Sequence, residues 1–296
     1  MRNEFIFQVQ GRTYDLGRRT WLMGVINVTA DSFSDGGLYL DSEKAVRHGL
    51  DMAAEGADIL DVGGESTRPG SESIPAEEER KRVIPVVAGL RKQTKALISV
   101  DTTKFEVAAA ALEAGADIIN DISSFSLDPR ILLLAAQKDA GFILMHMKGT
   151  PKTMQIHPYY DNVLEEIRRF LAEKIEIARA YGLKKENIII DPGIGFGKRL
   201  EDNLVLLNGL EAFSGLGRPI LVGVSRKAFI GKILNAPPQD RLEGTIAASV
   251  ISIVRGAHIL RVHDVKAVKR AVLIAEAILG EYPDNNSGEG KVGYVH

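Results

Sequence analysis

Three copies of one short pattern constrain this chain more than any other feature: GADILDV at 56–62, GADIIND at 115–121 and GAHILRV at 256–262. Each copy opens with a glycine suited to ending a helix, continues as a short apolar strand, and carries a polar residue five positions after the glycine. Those polar residues are Asp61, Asn120 and Arg261. Other apolar runs fill the intervals: WLMGVIN (21–27), ALISVD (96–101), GFILMH (141–146), NIIID (187–191) and PILVGVS (219–225). Together they make eight strands, mostly continuous apolar stretches of the kind buried on both faces.

Helical spacing occupies the segments between them. Leu164, Ile167, Leu171, Ile175 and Ala178 recur every three or four residues, as do Val265, Val268, Val272, Ala275 and Leu279. Eight alternating strand–helix units predict an α/β fold, a (β/α)8 TIM barrel spanning residues 21–280 as a single domain. A doubly wound open sheet is the alternative that pattern alone leaves. Residues 1–20 are expected to form an N-terminal hairpin extension over the bottom, and 281–296 a polar, flexible C-terminal tail. Residues 76–90 read as a helix, with a kink or break expected at Pro85 and a solvated first turn at Glu77–Glu79.

Bulk properties exclude several classes. The formal net charge of −2 gives no global field for nucleic acid or anionic lipid, so neither partner is expected and any anion site is local. The absence of cysteine removes disulfides, thiolate metal sites and cysteine nucleophiles together. The opening MRNEFIFQVQGRTYDLGRRTW is too polar for a signal peptide, and no apolar run approaches a membrane span. A cytoplasmic location is expected.

In a barrel of this type the active site lies at the C-terminal ends of the strands. Those ends supply Asn27, Asp61, Asp101, Asn120, His146, Asp191, Ser225 with Lys227, and Arg261 with His263. Helix capping accounts for one or two of them, Asp101 most readily, but not for the whole set. Asp101, Asn120 and Asp191 suit a flat heterocycle with several N–H groups. Lys227, Arg261 and His263 are cationic or potentially so, and suit a phosphate or a developing anion. The spacing therefore points to a base-like ring with a phosphorylated arm. His146 divides evenly between a site role and a hydrogen-bonded structural one.

Two loops at the mouth are rich in glycine and oxygen donors. GVINVTADSFSDGG (24–37) turns from strand to polar loop, and Asn27, Asp31 and Asp35 are candidate oxygen ligands for Mg2+ brought in with the substrate. GGESTRPG (63–70) places Ser66, Thr67 and Arg68 after the second strand.

With these stretches assembled, the chain resembles the dihydropteroate synthase family. The resemblance runs over roughly residues 20–280 through NVTADSFSDGG, GGESTRPG, SVDT, INDIS, MHMKGTP, DPGIGFGK, SRK and RVHDV in that order. It implies condensation of 6-hydroxymethyl-7,8-dihydropterin pyrophosphate with p-aminobenzoate, giving 7,8-dihydropteroate and pyrophosphate. By resemblance, Asp101, Asn120, Asp191 and Lys227 hold the pterin, with Met145 packed against it. Asn27, Arg261 and His263 bind pyrophosphate, and Asn27 also contacts Mg2+. Two loops bearing Phe33, Asp35, Thr67, Arg68 and Pro69 close over the site and, with Phe196, Ser225 and Lys227, form the p-aminobenzoate pocket that sulfonamides also occupy. The family is usually homodimeric. Ala30 departs from it, standing where the family usually has proline. The alternatives are a methyltetrahydrofolate-dependent methyltransferase, which has no need of pyrophosphate ligands, and a non-catalytic pterin-binding paralogue.

Overall fold

The computed structural model describes residues 3–28, 37–68 and 70–280. A hairpin comes first, with β1 (Phe5–Val9) antiparallel to β2 (Arg12–Leu16). Eight parallel strands follow: β3 (Trp21–Asn27), β4 (Ile59–Gly63), β5 (Leu97–Asp101), β6 (Ile118–Asp121), β7 (Gly141–Met145), β8 (Ile188–Asp191), β9 (Leu221–Val222) and β10 (Ile259–Val262). Each pairs with the next, β10 pairs with β3, and a single parallel bridge from Ile190 to Ile220 joins β8 to β9. The sheet is thus the expected TIM barrel. The open-sheet alternative is overturned by the β10–β3 and Ile190–Ile220 pairings.

Nine helices among the described residues surround the barrel: α1 (Gly37–Ala54), α2 (Ala76–Arg91), α3 (Phe105–Glu113), α4 (Arg130–Gln137), α5 (Val163–Ala180), α6 (Leu200–Asn208), α7 (Ala228–Leu234), α8 (Leu242–Val254) and α9 (Val265–Ile278). The helical spacing read from sequence is the buried stripe of α5 (Ile167, Leu171, Ile175, Ala178) and of α9 (Val265, Val268, Val272, Ala275). Leu164 is only half-buried and Leu279 is exposed. The repeat glycines Gly56, Gly115 and Gly256 adopt φ of +104°, +109° and +96°, which turns each helix end back into its strand.

The alternation of a strand divides the apolar runs into two packed surfaces. Leu60, Val62, Ile98, Val100, Ile119, Phe142, Leu144 and Leu260 face outward into the main core beneath the helices. Met23, Ile59, Leu97, Ile118, Ile143, Ile189, Leu221 and Ile259 face inward as a lower layer, where hairpin residues Phe7, Val9 and Leu16 pack against them. The hairpin stoppers the lower end.

Two expectations about α2 are corrected. Of the kink or break expected at Pro85, the break is excluded, because the helix runs on through it. Pro85 lies on its exposed face, so the Lys81 carbonyl that loses a partner meets water rather than the core. Nor is the acidic first turn wholly solvated. Glu77 is exposed, but Glu79 is buried and paired with Lys104.

Because Phe7 is fully buried where the hairpin meets the lower layer, Phe7→Ala is expected to destabilise the protein by about 3–5 kcal/mol in equilibrium denaturation.

Candidate active site

One pleat above the apolar layer the inward positions become polar: Asp61 on β4, Asn120 on β6, Asp191 on β8 and Arg261 on β10. Three of these four, Asp61, Asn120 and Arg261, come from the fifth position after a repeat glycine. Arg261 is the centre. Its Nε donates to Asp61 Oδ2 at 2.7 Å and its Nη2 to Asp101 Oδ2 at 2.7 Å. Asn120 Nδ2 also donates to Asp61 Oδ2, at 3.2 Å. The remaining oxygens, Asp61 Oδ1 and Asp101 Oδ1, are buried without a hydrogen-bond partner among the described residues.

A small cavity of about 20 Å3 is lined by Asp101, Asn120, Ile122, Met145, Asp191, Ile194, Phe196, Gly223, Lys227 and Arg261. This space takes little more than one water, because Arg261 lies across it onto Asp101. One wall is apolar: Met145 packs with Ile122, Met154 and Phe196. Lys227 stands just before α7 and rests its Nζ 4.1 Å from the Phe196 ring centroid. A larger hollow of about 550 Å3 on the loop after β7 (Lys148, Thr153, Met154, His157, Tyr159) contains none of these strand-end residues.

The protonation of the site follows from burial. Asp101 is held above the usual aspartate range by burial, with Arg261 opposing and Asp61 reinforcing it. Asp191 is raised by burial too, although Gly193 N donates to its Oδ1 at 2.7 Å. Lys227 falls to about 8 through burial and the neighbouring Arg261.

Asp101 does not cap α3, whose N-terminal cap is Lys104 without a side-chain bond. Its carboxylate is free for the site, which corrects the capping alternative. His146 does not line the cavity. It is buried, takes Lys198 Nζ at 3.0 Å on Nδ1, and packs edge-on against Phe170 at 4.9 Å. Lys198 also donates to the carbonyls of Phe196 at 3.0 Å and His146 at 3.3 Å, tying the loop after β8 to the end of β7. Sequence reading missed Lys198 because a lysine beside a glycine-rich turn looks like surface.

His263 is half-buried beside cationic neighbours, so it is neutral rather than cationic. Burial lowers it to about 3, helped by Arg261 and Arg226. Ser225 Oγ accepts the His263 backbone N–H at 3.2 Å, which leaves its hydroxyl proton for Nδ1 at 3.0 Å. That assignment puts the ring proton on Nε2 as a donor. Ser225 is therefore committed to His263. Arg226, at φ +55°, pairs with Asp264 at 2.6 Å and holds this loop to the one bearing His263.

Asn27 is half-buried at the end of β3. Thr67 is half-buried and Arg68 exposed in the loop after β4, neither lining the cavity. Phe33, Asp35, Asp31, Ala30, Pro69 and the 281–296 tail lie outside the described residues. Among the described residues no three His, Asp or Glu side chains converge as a metal cage. Of the candidate Mg2+ ligands Asn27, Asp31 and Asp35, Asn27 lies among the described residues.

A barrel with this polar layer at its mouth belongs with enzymes that bind pterins: the pterin binding enzyme family matches residues 23–263. Dihydropteroate synthase of Synechocystis sp. is 47% identical over 266 residues, covering 90% of this chain and 92% of that protein. The crystal structure of Yersinia pestis dihydropteroate synthase in a sulfonamide drug complex superposes with a TM-score of 0.88 at 44% identity, covering 93% of this chain and 100% of that one. Xanthomonas albilineans dihydropteroate synthase with 4-aminobenzoic acid gives 0.87 at 45% identity, covering 94% and 99%. The chain belongs to the dihydropteroate synthase family, and is a transferase that forms dihydropteroate.

The lowered pKa of His263 has a readable sign. The unfolded chain binds the ring proton near 6.5 and the folded protein only near 3, so stability from this residue falls as pH drops from 6.5 toward 3. NMR titration is expected to show the His263 ring uncharged at pH 5, where an ordinary histidine is protonated.

Proposed function

We propose that this site condenses 6-hydroxymethyl-7,8-dihydropterin pyrophosphate with p-aminobenzoate by an SN1-like displacement. The observation that carries the reading is the convergence of Asp101, Asn120, Asp191, Lys227 and Arg261 on one cavity with an apolar wall. The pterin N–H groups would take the carboxylates of Asp101 and Asp191 and the amide of Asn120, while Lys227 donates to a ring acceptor. Entry of the ring displaces Arg261 from Asp101. Arg261 then turns to the pyrophosphate arm, with Asn27 and the Nε2 proton of His263 beside it.

The chemistry follows from that exchange of partners. The C–O bond to pyrophosphate breaks and the leaving group keeps the electron pair, its charge taken up by Arg261 and His263. The methylene cation left behind is delocalised into the pterin and faces the Asp101 carboxylate. The p-aminobenzoate nitrogen then forms the C–N bond and loses a proton to solvent. Asn27 would offer one oxygen to a Mg2+ travelling with the pyrophosphate, where the ion would neutralise charge; no step above depends on it. Met145, Phe196 and Lys227 suit the faces of the two rings, and Ser225 contributes by holding His263. Thr67, Arg68 and Pro69, with Phe33 and Asp35, complete the p-aminobenzoate pocket in this reading.

Among the described residues no helix is long and apolar enough to cross a membrane. We propose a cytoplasmic enzyme, a cysteine-free chain needing no oxidising compartment. A homodimer fits the exposed apolar side chains Leu204 and Val205 on α6, Ile233 and Leu234 on α7, and Ile251 and Val254 on α8. Helix α8 packs against both of the others, so these residues share one side of the barrel.

The first experiment is pyrophosphate release from the dihydropterin pyrophosphate with and without p-aminobenzoate. Release that depends on p-aminobenzoate supports the synthase; tight pterin binding without release supports the non-catalytic alternative. Asp101→Ala and Lys227→Ala are expected to lower kcat/KM by about 10²-fold or more while the protein stays folded. Near-normal turnover in either removes its assigned role. Sedimentation of the intact chain is expected to give twice the mass of 32.2 kDa, and a monomer at micromolar concentration rejects the dimer.

A further inference from the structure

The glycine-rich loop after β4 is fastened at its base by a buried charge cluster that the reaction above does not use. Lys104 lies on the turn between β5 and α3, three residues past Asp101. Its Nζ sits 2.5 Å from Glu65 Oε2 in the loop and 2.5 Å from Glu79 Oε2 on α2. Side-chain exposure is 18% for Lys104, 18% for Glu65 and 1% for Glu79, so this is no surface pair. Glu65 Oε2 also accepts Ser73 Oγ at 2.9 Å and the Ile74 backbone N–H at 2.8 Å. One carboxylate therefore joins the beginning of the loop to its end. Gly64 closes the base from the other side: a Cβ there would lie 2.8 Å from Val83 Cγ2, so the chain runs hard against α2.

The cluster links two parts of the proposed site that are far apart in sequence. Asp101 ends the strand that leads into Lys104, and Thr67 and Arg68 follow Glu65 in the loop. Ser71 Oγ donates to the carbonyls of Ser66 at 2.5 Å and Arg68 at 2.8 Å, so the arc that bears Thr67 and Arg68 is held to the anchored end.

We propose that Lys104, acting through Glu65, is a positioning residue for the second substrate: it fixes residues 64–68 and 70–75 of this loop without touching either reactant. This rests on the functional reading given above, in which Thr67 and Arg68 border the p-aminobenzoate pocket. The role differs from a plain stability role because it separates the two substrates. The pterin groups sit on strand ends that do not depend on the loop, whereas the second pocket does.

Glu65→Gln is the cleaner test, since its amide oxygen still accepts from Ser73 and Ile74 while the charge opposite Lys104 is gone. The full-length variant is expected to raise KM for p-aminobenzoate about tenfold, with kcat and KM for the dihydropterin pyrophosphate within about twofold of wild type. Hydrogen exchange of the loop amides is expected to speed up about tenfold. Lys104→Arg, which keeps the charge, should retain the wild-type KM. Unchanged KM for p-aminobenzoate, or an equal rise for both substrates, overturns the positioning role. A wild-type protein that releases no pyrophosphate overturns the functional reading instead, and with it the second-substrate role.

Discussion

Everything polar at the mouth of this barrel is arranged around the grip of Asp61 and Asp101 on Arg261. A guanidinium inside a barrel is costly unless it is paired and hydrogen-bonded, and a carboxylate beside it carries the same liability. Removing one aspartate leaves Arg261 held by the other, whereas removing both would leave a charge inside the barrel without a partner. The mouth therefore contains carboxyl groups at Asp61, Asp101 and Asp191 set against the basic groups of Arg261 and Lys227. Charges stored in this way are also charges ready to be exchanged. A ligand that supplies N–H donors for Asp101 and a phosphate for Arg261 replaces each side of the pair with an equivalent partner.

The pleat converts that chemical demand into sequence. Within one strand the inward positions change from apolar to polar over two residues, as in Ile59 to Asp61, Ile118 to Asn120 and Ile259 to Arg261. This is why the strand ends stood out so clearly from the sequence, and why eight apolar runs sufficed for the barrel. Partners were another matter. Arg261 is 200 residues from Asp61 and 160 from Asp101, separations at which no local pattern carries information. Asp101 looked like a helix cap because the sequence after it is helical, and His146 could not be assigned before its lysine partner was seen. Glu79 resembled its solvated neighbours until the turn bearing Lys104 was brought beside it.

The repeat held a second message below the site. The third residue of each copy, Asp58, Asp117 and His258, accepts a backbone N–H from the start of an adjoining strand segment: Leu22 at 2.9 Å, Ile98 at 2.8 Å and Ile220 at 3.1 Å. Asp117 additionally binds Arg91 on α2 and Arg12 of the hairpin. Fold maintenance and site construction thus occupy different positions of the same motif, the third residue at the lower rim and the sixth at the polar layer.

The hairpin beneath the barrel makes the interior a vessel with a single mouth. Phe7, Val9 and Leu16 close the floor, and Asp101 and Asp191 lie at the other end, where Lys227 also lines the cavity. A ten-residue strand pair that touches none of the chemistry thus keeps all of it at one end of the barrel.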